Sequence, residues 1–221
     1  MLSGSAKASA HGSTAFTNSL GMQFVRVPGI GNALFCVWLT RVRDFKTFAA
    51  DTTNNNNYDY RNGCQPCIFG SNEWIKAGWN YGWANPGFKK GNDHPVVCVN
   101  WLDAEAFCRW LTKREQVAGI IFTNQEYRLP ADAEWSIAAG LPPETGNEPV
   151  DKSMKIKDVY SWGTNWPPPP NAGNFGGEEC LSGNWPSYLR VITNYNDGYP
   201  RTSPVDAFPP NQYGLYDMNG N

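Results

Sequence analysis

The second half of the chain lacks the hydrophobic periodicity that a long helix or strand requires. Helix signals stop at Gly140, and the stretch from Tyr160 to Asn221 is dominated by glycine, proline, asparagine and aromatic residues. The 221 residues include 22 glycines, 17 prolines and 10 tryptophans. Because glycine and proline are unfavourable inside helices, this composition disfavours a helical bundle. We expect a compact, loop-rich protein held together by aromatic packing.

The charge balance excludes strongly basic functions. The chain carries 18 Lys and Arg residues against 20 Asp and Glu residues, which gives a formal net charge of -2. Binding to a nucleic acid or to an anionic membrane requires an excess of basic residues, which this chain does not have. Neither partner is therefore predicted. No apolar stretch approaches the roughly 20 residues that a membrane helix needs. Residues 1–18 are small and polar and lack the apolar region of a signal peptide.

Alternation near the start of the chain predicts a β-hairpin followed by a helix. Apolar and polar residues alternate over 22–27, a turn cluster occupies 28–32, and a short apolar run follows over 33–39. Thr40 is then in place to cap a helix. The apolar face of that helix would carry Val42, Phe45, Phe48 and Ala49. Residues 51–90 are irregular and are predicted to form a long surface excursion.

Two further helices are predicted between residues 94 and 140. Residues 94–100 are interpreted as a buried strand that runs into a helix, with Asn100 as the N-cap and Asp103 in the first turn. This helix is expected to end near Gly119. Residues 127–135 are expected to start another helix, with Pro130 near the first helical position, where the missing N–H of proline is harmless.

The six cysteines do not form the pattern of a disulfide framework. They are Cys36, Cys64, Cys67, Cys98, Cys108 and Cys180. Three of them lie in apolar runs, where a free cysteine behaves as a small hydrophobic residue. Cys64 and Cys67 have half of a zinc-type spacing without a second pair, so a disulfide or no role at all is favoured there. The cysteines do not indicate whether the protein lies in an oxidising or a reducing compartment.

A set of short motifs occurs in a fixed order between Asn18 and Asn221. Each motif alone is short, but the ordered set covers most of this range and is therefore highly specific. The motifs are Asn18-Ser-Leu-Gly-Met22, Phe24-Val-Arg-Val-Pro28, His94-Pro-Val-Val-Cys-Val-Asn-Trp101, Asp103-Ala-Glu-Ala-Phe-Cys108, Tyr127-Arg-Leu-Pro130, Ala133-Glu-Trp135, Trp162-Gly163, Ala172-Gly-Asn-Phe175, Asp197-Gly-Tyr199, Ser203-Pro-Val205 and Asn211-Gln-Tyr-Gly-Leu-Tyr-Asp-Met-Asn-Gly-Asn221. In this order they resemble the family of formylglycine-generating enzymes, also called sulfatase-modifying factors.

The resemblance implies an α+β protein with a C-type-lectin-like fold of the formylglycine-generating-enzyme type and little regular secondary structure. Residues 1–17 would be a flexible tail or linker, and residues 18–221 a sulfatase-modifying-factor-like domain. In the family the Gly-Asn motif at residues 220–221 normally continues into about a third more of the domain. We therefore expect the domain to be incomplete at its C-terminus.

The family includes copper-dependent oxidases that convert a protein cysteine into formylglycine. Their copper-binding cysteine pair lies in the part that would follow Asn221, so no catalytic or cofactor-binding residue is assigned in this chain. Copper is expected only if that missing part carries the pair, and the chain alone is expected to be inactive. The partner would be a protein or peptide substrate or ligand. The alternative is a non-catalytic binding module on the same fold, or an accessory domain of a larger enzyme.

Some family members hold a structural calcium ion, and the resemblance transfers its ligands to this chain. They would be the side chains of Asn174 and Asp197 and the carbonyls of Phe175 and Tyr199, while a second site would begin with Asn221. Calcium favours such carboxylate, amide and carbonyl oxygens. The alternative is that Asn174 and Asp197 simply cap turns, as these residue types often do.

The resemblance also points to an incomplete helix cap. Family members usually have Thr or Ser after the Arg-Leu-Pro motif, three residues before a Glu, which forms a capping box. Here the position is Ala131, with Glu134 still in place. Half of the box is therefore expected to be missing.

Overall fold

A computed structural model describes residues 15–51, 82–141, 146, 148–152, 158–160, 162–182 and 190–221, together with short strands at 2–3, 67–69 and 74–76. Seven strands occur in chain order among these residues: β1 (Leu2–Ser3), β2 (Phe16–Thr17), β3 (Gln23–Arg26), β4 (Leu34–Cys36), β5 (Cys67–Phe69), β6 (Trp74–Lys76) and β7 (Glu126–Tyr127). The helices are α1 (Val42–Ala50), α2 (Trp101–Val117), α3 (Asp132–Ala139), α4 (Pro149–Lys152) and a 3₁₀ helix (Glu178–Ser182).

A five-stranded antiparallel sheet of order β2-β3-β4-β1-β7 organises the described chain, and β5 and β6 pair separately. The predicted hairpin is confirmed, because β3 pairs with β4 and Phe24 lies opposite Cys36. The second strand is shorter than the predicted run over 33–39. Two strands, β1 and β2, come from within residues 1–17, while the domain boundary at residue 18 stays a prediction.

The alternation of the hairpin sends its side chains into two hydrophobic clusters on opposite faces of the sheet. Phe24 and Leu34 join the first cluster, which contains the apolar faces of α1 and α2. Val25 and Phe35 join the second cluster, which contains Ala138 of α3 and Leu215. Helix α3 and residues 213–218 thus pack on the sheet face opposite α1 and α2. No helix of the described residues is long and apolar enough to cross a bilayer.

Helix α1 begins one residue later than predicted. Its N-cap is Arg41 rather than Thr40. The Asp44 carboxylate accepts hydrogen bonds from the Arg41 backbone N–H at 3.0 Å and from its guanidinium at 2.8 and 3.0 Å. Both side chains are almost fully buried. A buried ion pair therefore closes this helix start, in place of the expected hydroxyl cap.

Helix α2 agrees with the sequence at both ends. Asn100 Oδ1 accepts the Asp103 N–H at 2.9 Å, and Asp103 Oδ2 accepts the Asn100 N–H at 2.7 Å. This reciprocal pair satisfies two backbone donors that the helix itself leaves free. The helix ends at Val117, and Gly119 follows with a φ of +68°. The predicted cap and end are confirmed.

The predicted strand over 94–100 is wrong. Within this fully described segment the structure has only an isolated bridge, between Arg41 and Pro95. Cys98 adopts a φ of 58°, in the left-handed region, so the extended conformation that a strand needs is interrupted before the helix. The apolar run at 94–100 is nevertheless half-buried beside the first cluster.

Candidate functional site

The residues predicted to bind calcium lie in two loops that are hydrogen-bonded to each other. The Phe175 N–H donates to Asp197 Oδ2 at 2.7 Å, and the Tyr199 N–H donates to Asp197 Oδ1 at 2.8 Å. A single carboxylate therefore fixes the loop around Phe175 against the turn over 197–199. This is the turn-capping role that the sequence offered as the alternative.

Asn174 and Asn221 extend the same locus. The Asn174 side-chain amide donates to the Arg201 carbonyl at 2.5 Å and lies 3.4 Å from Asn221 Oδ1. The Asn221 side chain in turn accepts the Ser203 N–H at 2.8 Å and donates to the Ser203 carbonyl at 3.1 Å. The structure thus brings all five predicted residues together, although 47 residues separate Asn174 from Asn221.

The chemistry of this locus is compatible with a hard cation. Burial raises the pKa of the Asp197 carboxyl, and the N–H groups of Phe175 and Tyr199 oppose that shift. A partly desolvated carboxylate gains from a nearby positive charge. The Phe175 carbonyl already accepts the Gly177 N–H at 2.7 Å but has a second lone pair. Within the described residues no three His, Cys, Asp or Glu side chains gather, so a cation here would depend on amide and carbonyl oxygens.

Cys36, Cys98, Cys108 and Cys180 are not disulfide-bonded. Burial raises the pKa of the Cys36 thiol to about 11 and also raises the pKa of the Cys108 thiol. Burial and the Glu179 carboxylate raise the pKa of Cys180 to about 11. These three thiols are therefore protonated at neutral pH. Cys64 lies outside the described residues, and of Cys67 only the backbone of β5 is described.

Sequence reasoning missed an apolar cavity of about 200 Å³. It lies between the β3–β4 hairpin, helix α2, residues 127–130 and residues 216–218, and both Cys36 and Cys108 line it. These segments are far apart in the chain, so no local pattern indicates the cavity. The one sequence feature related to this cavity is that two cysteines and several tryptophans lie in apolar surroundings.

The tryptophans of the described residues lie in different places. Trp83 packs on Phe45 at the first cluster. Trp162 stacks on Tyr160 with ring centroids 4.8 Å apart and contacts Phe175, beside the predicted calcium ligands. Trp166 is 58% exposed. The side chains of Trp74, Trp79 and Trp185 lie outside the described residues.

Comparison with known proteins identifies the class to which this fold and site belong. The family model described as sulfatase-modifying factor enzyme 1-like domain matches residues 39–221. The chain therefore belongs to the sulfatase-modifying factor family. The α+β fold with few helices is consistent with this membership.

The particular relatives include enzymes and a protein named as inactive. The formylglycine-generating enzyme of Bos taurus is 34% identical over 131 residues, which cover 58% of this chain and 25% of that protein. The formylglycine-generating enzyme of Thermomonospora curvata is 34% identical over 129 residues, covering 58% and 31%. The inactive C-alpha-formylglycine-generating enzyme 2 of Bos taurus is 33% identical over 138 residues, covering 61% and 33%. The chain thus matches a quarter to a third of the length of these relatives.

Proposed function

We propose that this chain is the substrate-binding scaffold of a formylglycine-generating-enzyme-like domain, with a C-type-lectin-like arrangement of its loops. In this proposal it binds a protein or peptide and does not itself oxidise the cysteine of that partner. The copper chemistry of the family requires a pair of thiolates, because Cu(I) favours soft, deprotonated sulfur ligands.

One observation carries the proposal. Burial raises the pKa values of Cys36, Cys108 and Cys180, so these thiols favour the protonated form. These three cysteines therefore resemble packing residues more than activated nucleophiles.

A non-catalytic binding module is the second candidate. The relative named as inactive is 33% identical to this chain, against 34% for the two enzymes, so similarity favours neither activity nor its absence. The same fold can serve as a substrate-binding scaffold or as a binding module, so the identity of the ligand distinguishes the two functions. A module of this kind would bind a ligand other than a cysteine-bearing peptide.

We further propose that a structural calcium ion joins the loops around Asn174 and Asp197. The Asn174 and Asp197 side chains and the Phe175 and Tyr199 carbonyls would hold it, and Asn221 would contribute to a neighbouring site. When bound, calcium would supply positive charge that stabilises the partly buried Asp197 carboxylate. Its role would be to order these loops.

Peptide binding separates the two candidates. A fluorescently labelled peptide with the pattern Cys-x-Pro-x-Arg, its Ser-x-Pro-x-Arg counterpart and a scrambled sequence are titrated with the chain, and anisotropy is measured. A scaffold binds the Cys and Ser peptides with dissociation constants within about threefold and the scrambled peptide at least about tenfold more weakly. Equal and weak binding of all three peptides would favour the second candidate and contradict the first.

A further inference from the structure

The cavity lined by Cys36 and Cys108 has mostly apolar walls. Seven of its lining residues are aromatic, Trp38 and Trp135 among them, and four carry sulfur. The sulfur-bearing residues are Met22, Cys36, Cys108 and Met218. Apolar cavities with such walls are the usual form of a small-molecule site. Polarisable sulfur also makes favourable contacts with aromatic rings.

Within the described part of the chain, the cavity offers no unpaired charge. Arg128 is the charged residue among its lining residues, and its guanidinium donates to both carboxylate oxygens of Glu134, at 2.7 and 2.8 Å. The Cys36 and Cys108 thiols are neutral at physiological pH, because burial raises their pKa values. An ionic ligand would therefore lose its hydration without gaining a counter-charge. A neutral ligand avoids that cost.

The walls are held by elements that pack firmly on the rest of the protein. Phe107, Leu111 and Tyr127 belong to the buried first cluster, and Phe35 belongs to the second. Trp135, which also lines the cavity, is 39% exposed. The cavity thus lies between two packed cores and has a partly exposed aromatic residue in its wall.

We propose that this cavity binds a small, neutral aromatic molecule. An aromatic ring is preferred to a saturated ring of the same size because it can make edge-to-face contacts with the aromatic walls and sulfur contacts with the methionines and cysteines. A volume of about 200 Å³ accommodates one substituted ring. The proposal does not depend on the proposed function, because it concerns the cavity and not the peptide.

Three matched probes test the ligand class by isothermal titration calorimetry and ligand-observed NMR. They are p-cresol, its saturated counterpart 4-methylcyclohexanol, and the cation benzylammonium. We expect p-cresol to bind with a dissociation constant below about 1 mM, a reasonable affinity for so small a ligand. The saturated and charged probes should each bind at least about tenfold more weakly. Equal binding of p-cresol and 4-methylcyclohexanol, or absence of saturable p-cresol binding, would overturn the proposal.

A pair of tryptophan variants locates the binding. Trp135→Ala removes an aromatic residue that lines the cavity and should weaken p-cresol binding at least about fivefold. Trp166→Ala removes a tryptophan that is 58% exposed and does not line the cavity, and should change binding less than about twofold. Equal effects of the two substitutions would show that p-cresol binds elsewhere.

Thiol protection gives an independent readout that needs no variant. Saturating p-cresol should slow alkylation of Cys36 and Cys108 by iodoacetamide at least about threefold, because the ligand occupies the space that the reagent must enter. Cys180 does not line this cavity and should react at the same rate with and without p-cresol. Peptide mapping by mass spectrometry measures each site. Unchanged rates at Cys36 and Cys108 would contradict the proposed location.

Discussion

Among single residues, Glu115 is a polar group that contacts the first cluster through Tyr127. Its side chain is fully buried. It accepts hydrogen bonds from the Ser19 N–H at 2.8 Å, the Ser19 hydroxyl at 2.5 Å and the Tyr127 hydroxyl at 2.7 Å. One carboxylate therefore joins the chain before β3, helix α2 and strand β7. Burial, together with this hydrogen bond, raises the pKa of the Tyr127 hydroxyl far above its usual value.

Replacing Glu115 by Gln should destabilise the protein by about 1–3 kcal/mol, the usual cost of leaving a buried donor unpaired. The amide oxygen can still accept the two Ser19 donors, but the amide nitrogen cannot accept the Tyr127 hydroxyl, which loses its buried acceptor. Urea unfolding midpoints measure the change. Glu105→Gln is the control, because Glu105 forms a partly exposed pair with Arg109 at 3.2 Å and should shift stability by less than about 0.5 kcal/mol. Equal destabilisation by both substitutions would show that the Glu115 hydrogen bonds have no special role.

Residues that act locally could be predicted from the sequence, and residues that act at a distance could not. Asn100 and Asp103 were predicted correctly because their hydrogen bonds span three residues. The bond between Ser19 and Glu115 spans 96 residues, and no pattern in the sequence indicates it. The locus around Asn174 and Asp197 came from family resemblance rather than from spacing.

Among the helices and strands, the start of helix α3 confirms that half of a capping box is missing. Ala131 is the N-cap, with extended backbone and no side-chain acceptor. Glu134 Oε2 accepts the Ala131 N–H at 2.7 Å, and the same carboxylate is held by Arg128. The Arg128 guanidinium holds the pKa of Glu134 below its usual range. The hydrogen bond from the Ala131 N–H to Glu134 is therefore present, and the hydrogen bond that a Thr or Ser hydroxyl would accept is absent.

Ala131→Thr should stabilise the protein by about 0.5–1 kcal/mol, because the new hydroxyl can accept a first-turn N–H. Ala131 is exposed, so the larger side chain has room. The urea midpoint of the variant is compared with that of Ala131→Val, which has the same shape without the hydroxyl. The valine variant should not be stabilised. A lower midpoint for the threonine variant than for the wild type would contradict this description of the helix start.

Two errors in predicting these elements have physical causes. Helix α1 begins after Arg41 because the buried ion pair with Asp44 provides a cap that the sequence pattern does not favour over Thr40. The segment over 94–100 has the composition of a strand, but the left-handed backbone at Cys98 breaks it. The Arg41–Asp44 pair is local in sequence, but it is stabilised by a burial that the sequence pattern does not show.

For the protein as a whole, calcium binding would be visible as a change in global stability, because a ligand that binds only the folded state raises the melting temperature. We expect millimolar calcium to raise the melting temperature of the wild-type chain. Asp197→Ala should abolish the rise, since it removes the carboxylate that bridges Phe175 and Tyr199. Asp206→Ala, at an exposed carboxylate outside this locus, should retain it.

The comparison is made between melts with and without calcium for each variant, so a lower baseline for Asp197→Ala does not affect it. A wild-type melting temperature that is unchanged by calcium would contradict the proposed site. A rise that persists in Asp197→Ala would place calcium elsewhere in the molecule.

The general architecture could be predicted from the sequence better than the arrangement of its loops. Composition correctly indicated a protein with few helices and an irregular second half, because glycine and proline act locally. The cavity between the two clusters could not be predicted, since it forms where segments around residues 36, 108, 128 and 217 meet. Such a meeting point depends on the complete packing of the sheet against α2 and the C-terminal loops.

Binding without oxidation is the property that distinguishes the proposed scaffold from a complete enzyme. It is tested by incubating the chain with Cu(I), oxygen and a Cys-x-Pro-x-Arg peptide and then determining the mass of the peptide. Because the pKa values of the Cys36, Cys108 and Cys180 thiols are raised, we predict that the peptide keeps its cysteine thiol. Loss of the thiol mass with formation of the aldehyde would show that the chain is itself an oxidase and contradict the proposed function.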